Sequence, residues 1–143
     1  MAEYENDFFK WTKTQTSLLK ERRLAELDID NLAEEIESLG KSDRMTLWNH
    51  MISLLLHLLK QKYHLEEEGN ISSILDARME IESLLENSPS LKNELKKIFP
   101  QAYEDAREGA AIEAKCDIDK FPKECPWSIQ DVLNAELGDI VPF

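Results

Sequence analysis

The sequence predicts an all-α protein, a helical bundle of about six to seven helices built around a long central third helix. Three observations carry that reading. Apolar residues recur every three or four positions through most of the chain, the spacing of a helix with one inward side. Helix start and stop residues (Asp, Ser, Gly, Pro) punctuate those runs at helix-length intervals. The chain holds only 4 glycines and 5 prolines, and no stretch sustains strand-like alternation, so the turn-rich pattern of an all-β fold is missing. At 143 residues the expectation is a single domain, 1–143, with one hydrophobic core.

Each element follows from local signals. The first helix is expected from Asp7, a plausible cap, to about Arg23, with Phe8, Trp11, Leu18 and Leu19 on its apolar side. In "DIDNLAEEIESLG", Asp28 or Asp30 starts a second helix whose core stripe is Leu32, Ile36 and Leu39. Gly40 sits where a left-handed residue would end it. Ser42 then caps the third and longest helix, which runs to about Glu67 before Gly69 and Asn70. A fourth spans about Ser72 to Glu86. "NSPSL" restarts the chain with Ser88 as cap and Pro89 at the first helical position, and Leu91, Leu95 and Ile98 form the face that follows. Pro100 opens or kinks "PQAYEDAREGAAIEAK", where Tyr103, Ala106 and Ala110 share a face whose small residues permit close helix approach. "FPKECP" reads as extended or turning. Ser128 and Asp131 mark the capped start of a short last helix.

Charge is uneven. The net charge is −12; residues 1–63 carry 9 basic and 11 acidic side chains, and residues 64–143 carry 8 basic and 18 acidic. Such an acidic second half repels phosphate backbones and anionic headgroups, so neither nucleic acid nor membrane is expected as a partner. No apolar run reaches the roughly 18 residues of a membrane span, and "MAEYENDFFK" lacks the basic flank and apolar core of a leader. The expectation is a cytoplasmic protein. Cys116 and Cys125, nine apart with no histidine nearby, read as reduced thiols rather than a zinc site.

His50, His57 and His64 are the only histidines, seven residues apart. At about 100° per residue they fall opposite Trp48, on the polar strip beside Thr46, Ser53 and Lys60. The apolar arc of the same helix takes in Leu47, Met51, Ile52, Leu54, Leu55, Leu58 and Leu59. Successive histidines are about 10 Å apart along the axis, too far to share one ion, so no metal site and no cofactor is expected. His57, bounded by leucines, is the one most open to cover by a second helix layer. Elsewhere, polar residues fall on apolar faces: Gln15 between Phe8 and Leu19, Asn31 and Glu35 beside Leu39, and Arg78 amid Ile71, Ile74, Ile81 and Leu85. Burying such charges unpaired is costly. The expectation is therefore a Glu35–Arg78 bridge completed by Gln15 and Asn31. The competing reading is an interhelical binding pocket of Gln15, Asn31, Glu35, His57 and Arg78. In it Glu35 binds or acts as a base, Arg78 orients an anion and His57 assists. No catalytic residues are assigned.

The segments "YENDFFKWTKTQTSLLK", "LDIDNLAEEIESLGKS", "LLLHLLKQKY", "ENSPSL", "AYEDAR" and "CPWSIQDVL" together resemble the bacterial family called domain of unknown function, number twenty-nine. They follow the family's order and cover nearly the whole chain; "EEEGNISSILDAR" is the least similar stretch, acidic here. The resemblance implies a small helical protein and supplies no catalytic residue to carry over.

Phosphate loops, a serine nucleophile elbow and the paired Glu-x-x-His motifs of di-iron bundles are missing from the sequence; Glu34 and Glu37 alone carry no weight. The functional expectation is a non-enzymatic protein–protein interaction module, self-association included. The alternative is a small helical enzyme or a ligand- or metal-binding protein using the interhelical polar pocket. A third reading, from charge alone, is an acidic partner for a basic protein.

Overall fold

A computed structural model describes residues 2–63, 65 and 70–142. Among them are seven α-helices and no strand: α1 (Glu3–Asn6), α2 (Phe8–Lys20), α3 (Ile29–Lys62), α4 (Asn70–Asn87), α5 (Leu91–Ala114), α6 (Ile129–Asn134) and α7 (Leu137–Ile140). Short 3-10 turns lie at Leu24–Glu26 and Ile118–Lys120. The all-α class and the long third helix are as expected. His64, Glu67 and Gly69 lie outside the described residues.

Two expected breaks are absent. Gly40 and Ser42 lie inside α3, whose 34 residues run on without interruption. A glycine ends a helix only by adopting a left-handed conformation; held helical it costs about 1 kcal/mol against alanine, which leucine- and glutamate-rich flanks offset. Pro100 likewise sits inside α5. The turns after it continue because Ala102, Tyr103, Ala106 and Ala110 are all buried, and that packing outweighs one missing N–H. The starts were more legible. Asp7 caps α2 by accepting from the Lys10 backbone N–H at 3.1 Å, and Ser128 caps α6 by accepting from that of Asp131 at 3.1 Å. The start of α5 differs from the expected Ser88 cap and Pro89 first position: the helix begins at Leu91 with Ser90 as N-cap, because Leu91 N–H donates to Ser88 O and Lys92 N–H to Pro89 O in a tight turn that precedes it.

The chain divides into two compact units, Met1–Ser42 and Asp43–Phe143. The first is a helical hairpin of α1, α2 and the opening turns of α3. Its buried side chains, among the described residues, are Trp11 and Gln15. Tyr4 and Phe8 pack their rings on Trp11, at 4.7 and 5.5 Å between centroids. Leu32, Ile36 and Leu39, expected inward, are not buried; Ile36 and Leu39 stand in solvent.

The second unit holds the hydrophobic core. Leu47, Met51, Leu54, Leu55, Leu58 and Leu59 of α3 are fully buried against Ile74 and Ile81 of α4 and Leu95, Ile98 and Ala106 of α5. This is the apolar arc read from the sequence. Gathering about nine aliphatic side chains at roughly 1.5–3 kcal/mol each makes it the main stabilising element. The last segments are tied down by polar atoms. Tyr103 donates to Pro122 O at 2.6 Å, and burial pushes its phenol up to about 12. Trp127 Nε1 donates to Ile140 O at 3.2 Å, and Gln61 to Pro142 O at 2.6 Å. Cys116 and Cys125 are free thiols, and burial pushes that of Cys125 up to about 11.

Candidate functional site

The sequence singles out Gln15, Asn31, Glu35 and Arg78 by their positions on apolar faces and His57 by its flanking leucines, and the structure distributes the five over separate settings. Gln15 and Asn31 meet at Asp28. The Asp28 backbone N–H donates to Gln15 Oε1 at 2.9 Å, and Asn31 Nδ2 donates to Asp28 Oδ2 at 2.8 Å. Trp11 Nε1 adds a third bond, to the same carboxylate oxygen, at 2.9 Å. Asp28 O accepts from Leu32 N–H, so Asp28 is the cap residue of α3. Glu35, one turn beyond Asn31, accepts from the Tyr4 hydroxyl at 2.5 Å. That bond, more than the partial burial, pushes the Tyr4 phenol up to about 12.

The side-chain bond from Asn31, and after it the one from Trp11, hold the Asp28 carboxyl below the usual carboxylate range, against an opposing effect of burial. Its folded pKa thus lies below the unfolded value of about 3.9. The stability it contributes is complete above that value and is lost as pH falls through the folded pKa. Thermal melts of the wild type are expected to drop on acidification more steeply than those of Asp28→Asn. Parallel pH slopes in the two proteins would show that Asp28 does not anchor the hairpin.

In the second unit, Arg78 replaces the expected bridge to Glu35 with bonds to backbone. Its Nε donates to Val132 O at 2.9 Å, Nη1 to Ala135 O at 2.9 Å and Nη2 to Asp131 O at 3.2 Å. These carbonyls end α6, which makes the guanidinium its C-terminal cap and places a cation at the negative end of the helix dipole. Burial pulls the Arg78 pKa down and Glu136 pulls it up; arginine stays charged at neutral pH regardless. Sequence reasoning paired Glu35 with Arg78 by charge, whereas backbone carbonyls, invisible to a charge pattern, satisfy the cation.

His50 and His57 are half-buried rather than fully in water. His57 Nδ1 lies 3.0 Å from Asn70 Oδ1, a hydrogen bond in the tautomer that carries its proton on Nδ1. Asn70 is buried, and its Nδ2 has no partner among the described residues. Two buried polar residues were not anticipated, Asn70 and Arg107. Arg107 is 6% exposed and donates to Phe121 O at 3.2 Å, with Glu104 and Asp119 at 3.4 and 3.5 Å. The signal was available: positions 103, 106, 107 and 110 form one helical face.

Around Arg78 the structure forms a groove of about 580 Å³ among α4, the start of α5 and α6. Its floor is Ile81 and Leu95, with Leu85, Ile129 and Leu133 half-buried on the walls. The α4 edge carries Glu82 and Glu86, the α5 edge Lys92 and Lys96, and the α6 edge Gln130 and Asn134. Arg78 fixes the α6 wall by holding its last turn. Among the described residues no three His, Cys, Asp or Glu side chains converge as a metal would require. None of the helices, over the described residues, is long and apolar enough to cross a membrane.

No curated protein and no solved structure matches the chain. Residues 3–137 of its 143 match the profile of the family described as Domain of unknown function DUF29, and the chain belongs to that family.

Proposed function

We propose that the chain is a non-enzymatic protein–protein interaction module whose α4–α5–α6 groove receives an amphipathic helix of a partner protein. The groove carries this reading: an apolar floor and walls from three helices, bordered by acids on α4 and lysines on α5. A partner helix with apolar residues at i, i+3/i+4 and i+7 fills such a floor, with acids toward Lys92 and Lys96 and bases toward Glu82 and Glu86. The polar set read as a pocket lends less support to chemistry, because Tyr4 engages Glu35 and the α6 carbonyls engage Arg78.

The test is a phage-displayed library of helical peptides selected against the full chain, followed by calorimetry of a selected synthetic peptide. Selected peptides are expected to share the apolar spacing with acids on one flank and bases on the other, and to bind less tightly as salt rises. Leu133→Glu, at a half-exposed wall position, is expected to weaken binding about tenfold or more with helix content unchanged. Enrichment of no such pattern, or equal affinity for wild type and Leu133→Glu, would refute the reading.

A further inference from the structure

The side of α4 that borders the groove has two halves of different character. At about 100° per residue from buried Ile81, the groove-lining Arg78, Glu82 and Glu86 fall at about 60°, 100° and 140°. Ile71, Leu75 and Met79 fall within the same sector, at about 80°, 120° and 160°. Asp76 and Glu80 lie about 140° and 100° round the other way. One sector of α4 is therefore acidic in its C-terminal half and apolar in its N-terminal half.

The apolar half is open. Leu75 is 46% exposed and Met79 66%. They stand one turn apart, as neighbours on the helix surface, beyond the Arg78 end of the groove. A helix sector that faces water alone is ordinarily polar. Arg78 stands between the halves, its guanidinium bonded to the α6 carbonyls.

The charged edges gather at the opposite end. Glu86 and Lys92 are each three residues from Pro89, and Glu82 and Lys96 each seven, so α4 and α5 are charged over the same two turns. From Glu86 to Arg78 the α4 edge rises about 12 Å, and to Leu75 about 16 Å, three turns of a helix laid along it.

We propose, resting on the groove reading, that the partner helix continues past the groove and lays an uncharged apolar end on Leu75 and Met79. The partner is then a helix of two halves. Acids and bases flank its apolar stripe over the turns beside Pro89, where Lys92, Lys96, Glu82 and Glu86 meet them. Its next turns carry aliphatic or aromatic side chains on the contact side, because this sector of α4 offers no acid there. Met79 suits that role, since an unbranched thioether adapts to the apolar surface it meets.

Calorimetry on the full chain tests this with the selected groove peptide, made about 18 residues long and shortened by two turns from either end. The double variant Leu75→Gln/Met79→Gln places a good helix former at two exposed positions, so helix content by circular dichroism stays unchanged. It is expected to bind the long peptide about tenfold more weakly than the wild type does. Removing the uncharged end of the peptide is expected to cost the wild type a similar factor and the double variant nothing, since both changes remove one contact. Wild-type affinity of the double variant for the long peptide, while Leu133→Glu still loses it, overturns the inference and leaves the groove reading standing. A chain that binds no groove peptide overturns both. Sedimentation velocity without peptide supplies the remaining outcome: self-association of the wild type that the double variant abolishes gives Leu75 and Met79 to a second copy, and overturns the inference.

Discussion

Trp11→Ala is expected to melt the N-terminal hairpin, at a loss of about 3–5 kcal/mol. Trp11 is one of two buried residues described in that unit, and Tyr4 and Phe8 pack on its ring. Truncation removes the ring, leaves a void the thin hairpin cannot refill from elsewhere, and takes one donor from the Asp28 cap. Hydrogen exchange read by peptide mass spectrometry should show protection lost over residues 2–42, and urea denaturation should show the reduced stability. Trp11→Phe keeps the stacked ring and removes the Nε1 donor, so its loss should be clearly smaller. Equal effects of the two substitutions would mean that the hydrogen bond, not the packing, holds the hairpin.

Arg78→Met is expected to cost about 2–4 kcal/mol. Methionine keeps much of the aliphatic stem but takes the side-chain donor from the Val132 and Ala135 carbonyls, while Asp131 O keeps the Ala135 backbone N–H. Asp131 is exposed and Ala135 half-buried, so water limits the loss there, whereas Val132 is fully buried. Arg78→Lys should recover little, because one ammonium cannot reproduce three donors in a planar fork. Urea denaturation gives the size of the effect, and faster exchange confined to the α6 segment gives its place. The same substitution should weaken peptide binding, since α6 forms one groove wall. Stability and α6 protection at wild-type levels would show that the cap is dispensable.

Both effects rest on contacts that the sequence showed incompletely. Arg78 was legible as a cation on an apolar helix face, and Asp28 as a helix start. Their partners were not, because a charge pattern offers other charges as candidates, while Arg78 bonds to backbone and Asp28 to an indole and two amides. The Leu32–Ile36–Leu39 stripe was read as inward for a related reason. The hairpin's contact line is drawn instead along Asp28 and Glu35, where Trp11 and Tyr4 find acceptors. Hydrogen-bond demand from two aromatic residues turned α3 away from the orientation its aliphatic side chains alone would select.

By itself, the sequence determined the helical class, the caps at Asp7 and Ser128, and the leucine arc of α3. Those depend on residue spacing and on side chains acting on backbone a turn away, information held within a few neighbouring positions. The tertiary structure alone decided that α3 passes through Gly40 and α5 through Pro100, and which polar atoms meet across the chain. A lone glycine or proline changes helix free energy by amounts comparable to the packing around it, so the outcome waits on that packing. Hydrogen-bond partners far apart in sequence become definite only when the fold sets their distance.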